Sequence, residues 1–95
     1  RREDLAPLVH ALLRRICAES GQPLPGVSPE AMAWLGEAGY DPMYGARPLR
    51  RLMQQQIDDK LANLLLAGTI HDGSLVRVDV AEDGVALIVE PGALD

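Results

Sequence analysis

The stretch GYDPMYGARPLRR, Gly39 to Arg51, holds both tyrosines of the chain, two of its seven prolines and three of its nine basic residues. It ends one helix and begins another. Gly39 suits a helix C-terminal cap, and Asp41-Pro42 and Gly45 are turn residues. Pro48 fits the first turn of the next helix, where a missing N–H costs nothing. From there Leu49, Leu52, Met53, Ile57, Leu61, Leu64 and Leu65 keep a helical period as far as Gly68. About 20 residues at 1.5 Å each predict a rod of roughly 30 Å, the spine of so short a chain.

Upstream of this stretch, Ser28-Pro29-Glu30 reads as a helix start: a serine cap, a proline at the first position and an acid in the first turn. Ala31, Met32, Trp34, Leu35 and Ala38 would form the inward face of about ten residues. Further back, Leu5, Leu8, Val9, Leu12, Leu13 and Ile16 make one apolar stripe. Pro7 confines the start of that helix to Glu3 to Ala6, and Gly21 ends it. The intervening GQPLPGV admits only a short edge strand over Leu24 to Val27. Downstream, the period changes to two. Val76, Val78 and Val80 share one face of a strand over Leu75 to Val80, Val85 to Val89 answers it, and Glu82-Asp83-Gly84 is the turn between them. The fold class is therefore α+β: three main helices with a small antiparallel or mixed sheet, in the order α-(β)-α-α-β-β.

Ninety-five residues make one domain, and 47% hydrophobic residues without a phenylalanine build its core from Leu, Val, Ile, Ala and Met. A net charge of −5 argues against non-specific binding to nucleic acid or anionic membranes. No apolar run approaches a membrane span. The single cysteine, Cys17, falls inside a helix and reads as a buried thiol, which fits a reducing, cytoplasmic compartment. His10 and His71 lack ligand-like company, and Asp58-Asp59 reads as a solvated helix face. No phosphate-binding loop, nucleophile elbow or metal cluster is present, so the isolated domain is expected to have no enzymatic activity.

One local pattern runs against helix electrostatics. A helix N-terminus carries about half a positive charge and favours acids, yet Arg47, Arg50 and Arg51 gather there while Asp58 and Asp59 come later. An external anion, met by arginine forks and free N–H groups, would resolve the reversal. Arg47 precedes a proline, which biases its backbone away from the helix and its side chain outward. Gly45 permits a positive φ or a close approach. Tyr40 and Tyr44 would pack the turn against the second and third helices. The plain alternative is that the arginines are solvated, or pair with Glu37 or Asp41.

The same thirteen residues, with the amphipathic helix after them, resemble the sensor-2 region of the Clp family of AAA+ unfoldases. The continuation LANLLLAGTIHDGSLVRVDV is also similar to that family, most of all to the C-terminal end of ClpB-type disaggregase chaperones. The likeness runs from Ser28 to Val80. Before it only the pattern matches, and QPLPG replaces a better strand. The resemblance implies that residues 1–95 are the small C-terminal (lid) subdomain of a second AAA+ module within a larger chain. It implies that Arg47, supported by Gly45 and Ala46, reaches the phosphates of ATP bound, with Mg, by the preceding large subdomain. It further implies a cytoplasmic, hexameric stress-response chaperone that acts on misfolded proteins.

Two alternatives follow. The parent could instead be a protease-associated unfoldase of the ClpC or ClpA type. The element order is also that of winged-helix nucleic-acid-binding modules, with Arg47, Arg50 and Arg51 at the groove-facing end of a recognition helix. The acidic turn Glu82-Asp83 and the run QQQIDDK count against that reading.

Overall fold

The computed structural model describes residues 5–94. Helix α1 (Leu5–Ser20) leads to a two-residue strand β1 (Gly26–Val27) and helix α2 (Pro29–Ala38). A continuous helical run follows, made of α3 (Arg47–Met53), a π turn (Gln54–Asp58) and α4 (Asp59–Leu66). Strands β2 (Val76–Val80) and β3 (Leu87–Pro91) complete the chain. The sheet order is β1-β2-β3, with β1 parallel and β3 antiparallel to β2. Three helical rods and a small mixed sheet are thus the α+β class expected. The Glu3–Asp4 part of the predicted first-helix start lies outside the described residues.

The helix ends follow local chemistry. Gly21, at φ 70°, lets the Gln22 N–H reach the Cys17 carbonyl at 2.9 Å. Gly68, at φ 75°, does the same for Thr69 and Leu64 at 3.0 Å. Both are six-to-one closures that need a left-handed residue. Ser28 caps α2, its Oγ accepting from the Ala31 N–H at 3.0 Å. The same hydroxyl meets Asp79 Oδ1 at 2.9 Å, which joins the cap to β2.

The spine is not a plain α-helix. Leu49, Met53, Ile57 and Leu61 are all 0% exposed, although they are spaced four, four and four apart. At about 100° per residue, the twelve steps from Leu49 to Leu61 would leave Leu61 about 120° off the shared face. The π turn absorbs the mismatch, with the Asp59 N–H bonded back five residues to the Gln54 carbonyl. Five residues wound at about 82° instead of about 100° remove roughly 90° of that drift. The core around this seam is Val9, Leu13, Ile16 and Cys17 of α1, Ala31 and Leu35 of α2, Val27, Val76, Val78 and Leu87 of the sheet, and Ile70 beyond α4.

The wider helical opening also frees polar side chains to face neighbouring elements. Asp58 Oδ1 accepts from Ser20 Oγ at 2.8 Å and from Gln22 Nε2 at 2.9 Å. Gln56 Oε1 accepts from the Leu87 N–H at 3.2 Å and from Lys60 Nζ at 2.9 Å, and Lys60 Nζ also donates to the Leu87 carbonyl. Asp58 is therefore half-buried, and the expectation of two solvated neighbours holds for Asp59 alone.

Two further expectations change. Strand β1 is Gly26–Val27 only; Leu24 is exposed beside Pro23 and Pro25. Strand β3 starts at Leu87 rather than Val85. The connection consumes two more residues because the Gly84 N–H bonds the Ala81 carbonyl and the Val85 N–H bonds Asp83 Oδ1. Trp34 Nε1 closes the loop from outside, donating to the Gly84 carbonyl at 2.9 Å.

Candidate anion-facing loop and helix start

The segment between α2 and α3 is a small closed loop. Asp41 and Gly45 exchange both backbone hydrogen bonds, each at 2.7 Å. Asp41 Oδ1 also accepts from the Met43 and Tyr44 N–H groups at 2.7 and 3.1 Å, an Asx turn within the closure. Gly45 sits at φ 63°, and a Cβ there would meet nothing within 4 Å. Its glycine requirement within this chain is therefore conformational. Gly39 is the opposite case. Its φ is −98°, but a Cβ would lie 2.7 Å from Leu49 Cδ1 and 2.9 Å from the Leu35 carbonyl oxygen. This close approach ties the loop to α2 on one side and to the spine on the other.

Arg47 follows as the first residue of α3. Its side chain is exposed, and among the described residues its guanidinium makes no hydrogen bond or ion pair. The helix start has no side-chain cap. The expectation of free N–H groups at this end does not hold. The Arg47 N–H bonds the Tyr44 carbonyl at 3.2 Å, Pro48 has no N–H, and the Leu49 N–H bonds the Ala46 carbonyl at 3.0 Å. The tight first turn spends these donors internally, so recognition of an anion here falls to the arginine fork. Ala46 packs its methyl against the core.

The other arginines separate by role. Arg50 pairs with Glu19 of α1 at 3.1 Å, not with Glu37 or Asp41. Asp41 is occupied by its own loop, and Glu19 was hidden from sequence reasoning because it lies 31 residues away. Arg51 is exposed, with no ion pair among the described residues. Tyr40 and Tyr44 do not pack inward: they are 50% and 57% exposed, because the loop closes through its backbone and needs no side-chain anchor.

The remaining candidates behave as structural groups. Burial, and secondarily the nearby Asp58 charge, push the Cys17 thiol up to about 11. His10 and His71 are exposed. The Val80 N–H and Ser28 Oγ hold the Asp79 carboxyl below the usual carboxylate value. No group of three or more His, Cys, Asp or Glu side chains among the described residues is placed to hold a metal. A groove of about 300 Å³ between α1 and α2, and another of about 380 Å³ beside Ser28 and Asp79, both lie away from Arg47.

Comparison with known proteins matches residues 6–78 to the family described as the C-terminal, D2-small domain, of ClpB protein. Chaperone protein ClpB of Streptomyces albus G is 61% identical over 59 residues, which is 62% of this chain and 7% of that protein. The ClpB chaperones of Corynebacterium glutamicum and Mycobacterium leprae are 64% and 59% identical over 63 residues, 66% of this chain and 7% of each. The matched part of the chain thus spans about 7% of the length of these curated relatives. A family match over most of the chain, on the α+β fold and around the GAR helix start, displaces the winged-helix reading: the chain belongs to the family of ClpB D2-small C-terminal domains.

Proposed function

We propose that residues 1–95 are one small domain of a longer chain, the nucleotide-sensing lid and subunit-interface domain of an ATP-driven protein disaggregase. The observation that carries this reading is Arg47: an exposed guanidinium without a partner among the described residues, on an uncapped helix start behind a closed loop. Bound ATP would supply phosphate oxygens of the charge and spacing that a planar guanidinium fork recognises. The nucleotide and its Mg²⁺ belong to the preceding large AAA+ subdomain, with Arg47 reaching across to the phosphates. Gly45 sets the backbone turn that aims Arg47, and Ala46 anchors that turn to the core. Loss of the contact on product release would bias the lid between two positions. The spine would carry that motion toward neighbouring subunits of a homo-hexameric cytoplasmic ring working on misfolded proteins.

The test is Arg47→Ala in the full-length parent. Losing one charge-assisted contact, about 1.5–3 kcal/mol, should slow ATP turnover about 10- to 100-fold or uncouple it from protein unfolding. The fold should be spared, since the side chain is exposed. Arg47→Lys should also be defective, because the first turn has no spare backbone donor of Arg47 or Leu49 to help a point charge. Unchanged turnover together with unchanged unfolding activity in Arg47→Ala would refute the assignment.

A further inference from the structure

The face where α2 meets the β2–β3 connection is negative throughout. Glu30 and Glu37 stand four residues before and three after Trp34, on one side of α2, and Glu82 and Asp83 belong to the connection. The two elements touch where Trp34 Nε1 donates to the Gly84 carbonyl at 2.9 Å. All four acids are exposed, and none makes an ion pair among the described residues. The imbalance is written into the sequence. No Lys or Arg occurs between Arg15 and Arg47 or after Arg77, so neither element supplies a counterion.

Charge alone would describe a solvated surface, but this one has an apolar centre. Val85, next to Gly84, is 74% exposed beside the indole of Trp34. The centre is also held in shape. The Gly84 N–H bonds the Ala81 carbonyl at 2.9 Å, the Val85 N–H bonds Asp83 Oδ1 at 3.0 Å, and Trp34 packs back against the core. Tryptophan is enriched among the residues that carry binding energy, and a preordered surface loses little entropy on association.

Sign and size indicate the occupant. It brings Lys or Arg to the acidic rim and an apolar side chain to the Trp34–Val85 centre. A second copy of this chain fits poorly, since it carries a net charge of −5 itself. A permanent interface is larger and mainly apolar, whereas a small apolar centre in a charged rim suits an association that salt dissolves. We propose that this face docks a separate protein through a basic amphipathic segment, with Lys or Arg on both sides of an apolar stripe. The docking is independent of Arg47 and of nucleotide.

The test is binding of a synthetic amphipathic peptide, with lysines flanking a leucine stripe, to the full-length parent by fluorescence anisotropy. The same peptide is titrated into the doubly charge-reversed Glu37→Lys, Glu82→Lys variant and into Val85→Ser. All three positions are exposed and Trp34 stays in place, so the fold is retained. Two rim contacts turned from attraction to repulsion should weaken binding about tenfold. Loss of the apolar contact in Val85→Ser should weaken it about fivefold. Equal affinity in all three proteins would overturn the proposal. Weakening in the charge-reversed variant alone, with Val85→Ser at the parent's affinity, would leave only a solvated acidic patch and overturn it too. A change in the assembly's mass on charge reversal without peptide, read by light scattering, would make a neighbouring copy the occupant and equally overturn it.

Discussion

Removing Gln55 should leave the domain folded, whereas adding one residue at the same point should not. Leu49, Met53, Ile57 and Leu61 line one buried seam at a spacing of four, which the π turn makes possible. Without Gln55, eleven steps separate Leu49 from Leu61, and at about 100° per step an uninterrupted α-helix brings them within about 20° of each other. Ile57 then lies seven steps from Leu49, also within about 20°. The Gln55 side chain is exposed and makes no hydrogen bond among the described residues, so the deletion sacrifices little beyond local rewinding of the helix backbone. An alanine inserted after Gln55 would instead turn Ile57 and Leu61 by about a further 100° and pull both from the core. Displacing either would cost about 2–5 kcal/mol on the scale of large-to-small core substitutions. Two such losses consume most of the roughly 5–15 kcal/mol that holds a domain of this size together. Urea unfolding followed by Trp34 fluorescence measures both changes, since Trp34 is the sole tryptophan and packs against the core. The expected result is a midpoint close to the parent's for the deletion and no cooperative transition for the insertion. A deletion as damaging as the insertion would show that the π turn does not compensate the spacing.

Other consequences can be checked in the same assay. Gly39→Ala should cost about 1–3 kcal/mol by overpacking against Leu49 and the Leu35 carbonyl. Gly45→Ala should cost about 1–2 kcal/mol through its positive φ alone, so replacing Leu49 with valine should relieve the first variant and not the second. Ser28→Ala should cost about 1 kcal/mol as a lost N-cap. The folded-state value of Cys17 is raised, so its contribution to stability is intact below pH 9, declines as the pH climbs toward 11, and should be absent from Cys17→Ala. Asp79 is shifted the other way. Its contribution is present above the ordinary carboxylate value and is lost as pH falls below it, so acid unfolding should be shallower in Asp79→Asn.

Much of this architecture was legible because local chemistry dictates it. Ser28-Pro29-Glu30 announces α2, Gly21 and Gly68 close their helices, and the alternating valines of β2 select their buried face. Arg47 stood out because positive charge at a helix start is anomalous. Long-range contacts were not legible. Nothing near Arg50 in sequence names Glu19, and nothing near Asp58 names Ser20 or Gln22. The π turn was half-visible: the seven apolar positions of the spine suggested an ordinary helix, and only burial singles out the four spaced by four. The exposed tyrosines show the limit of composition as a guide. Aromatic residues are usually read as core, but a loop that satisfies its own backbone leaves them free to face outward.

The grip of Gln56 and Lys60 on Leu87 reaches beyond the packing of one molecule. A marginal strand offers its unused amide and carbonyl groups to any passing chain, and this is a common route to amyloid-like stacking. On β3 those groups recur at alternate residues, Leu87, Val89 and Pro91. The first is already engaged by two side chains of the spine, and the last has no amide hydrogen to offer. Val89 and the Pro91 carbonyl are left, too little for a foreign strand to zip against. Many copies can therefore be crowded together without their sheets fusing.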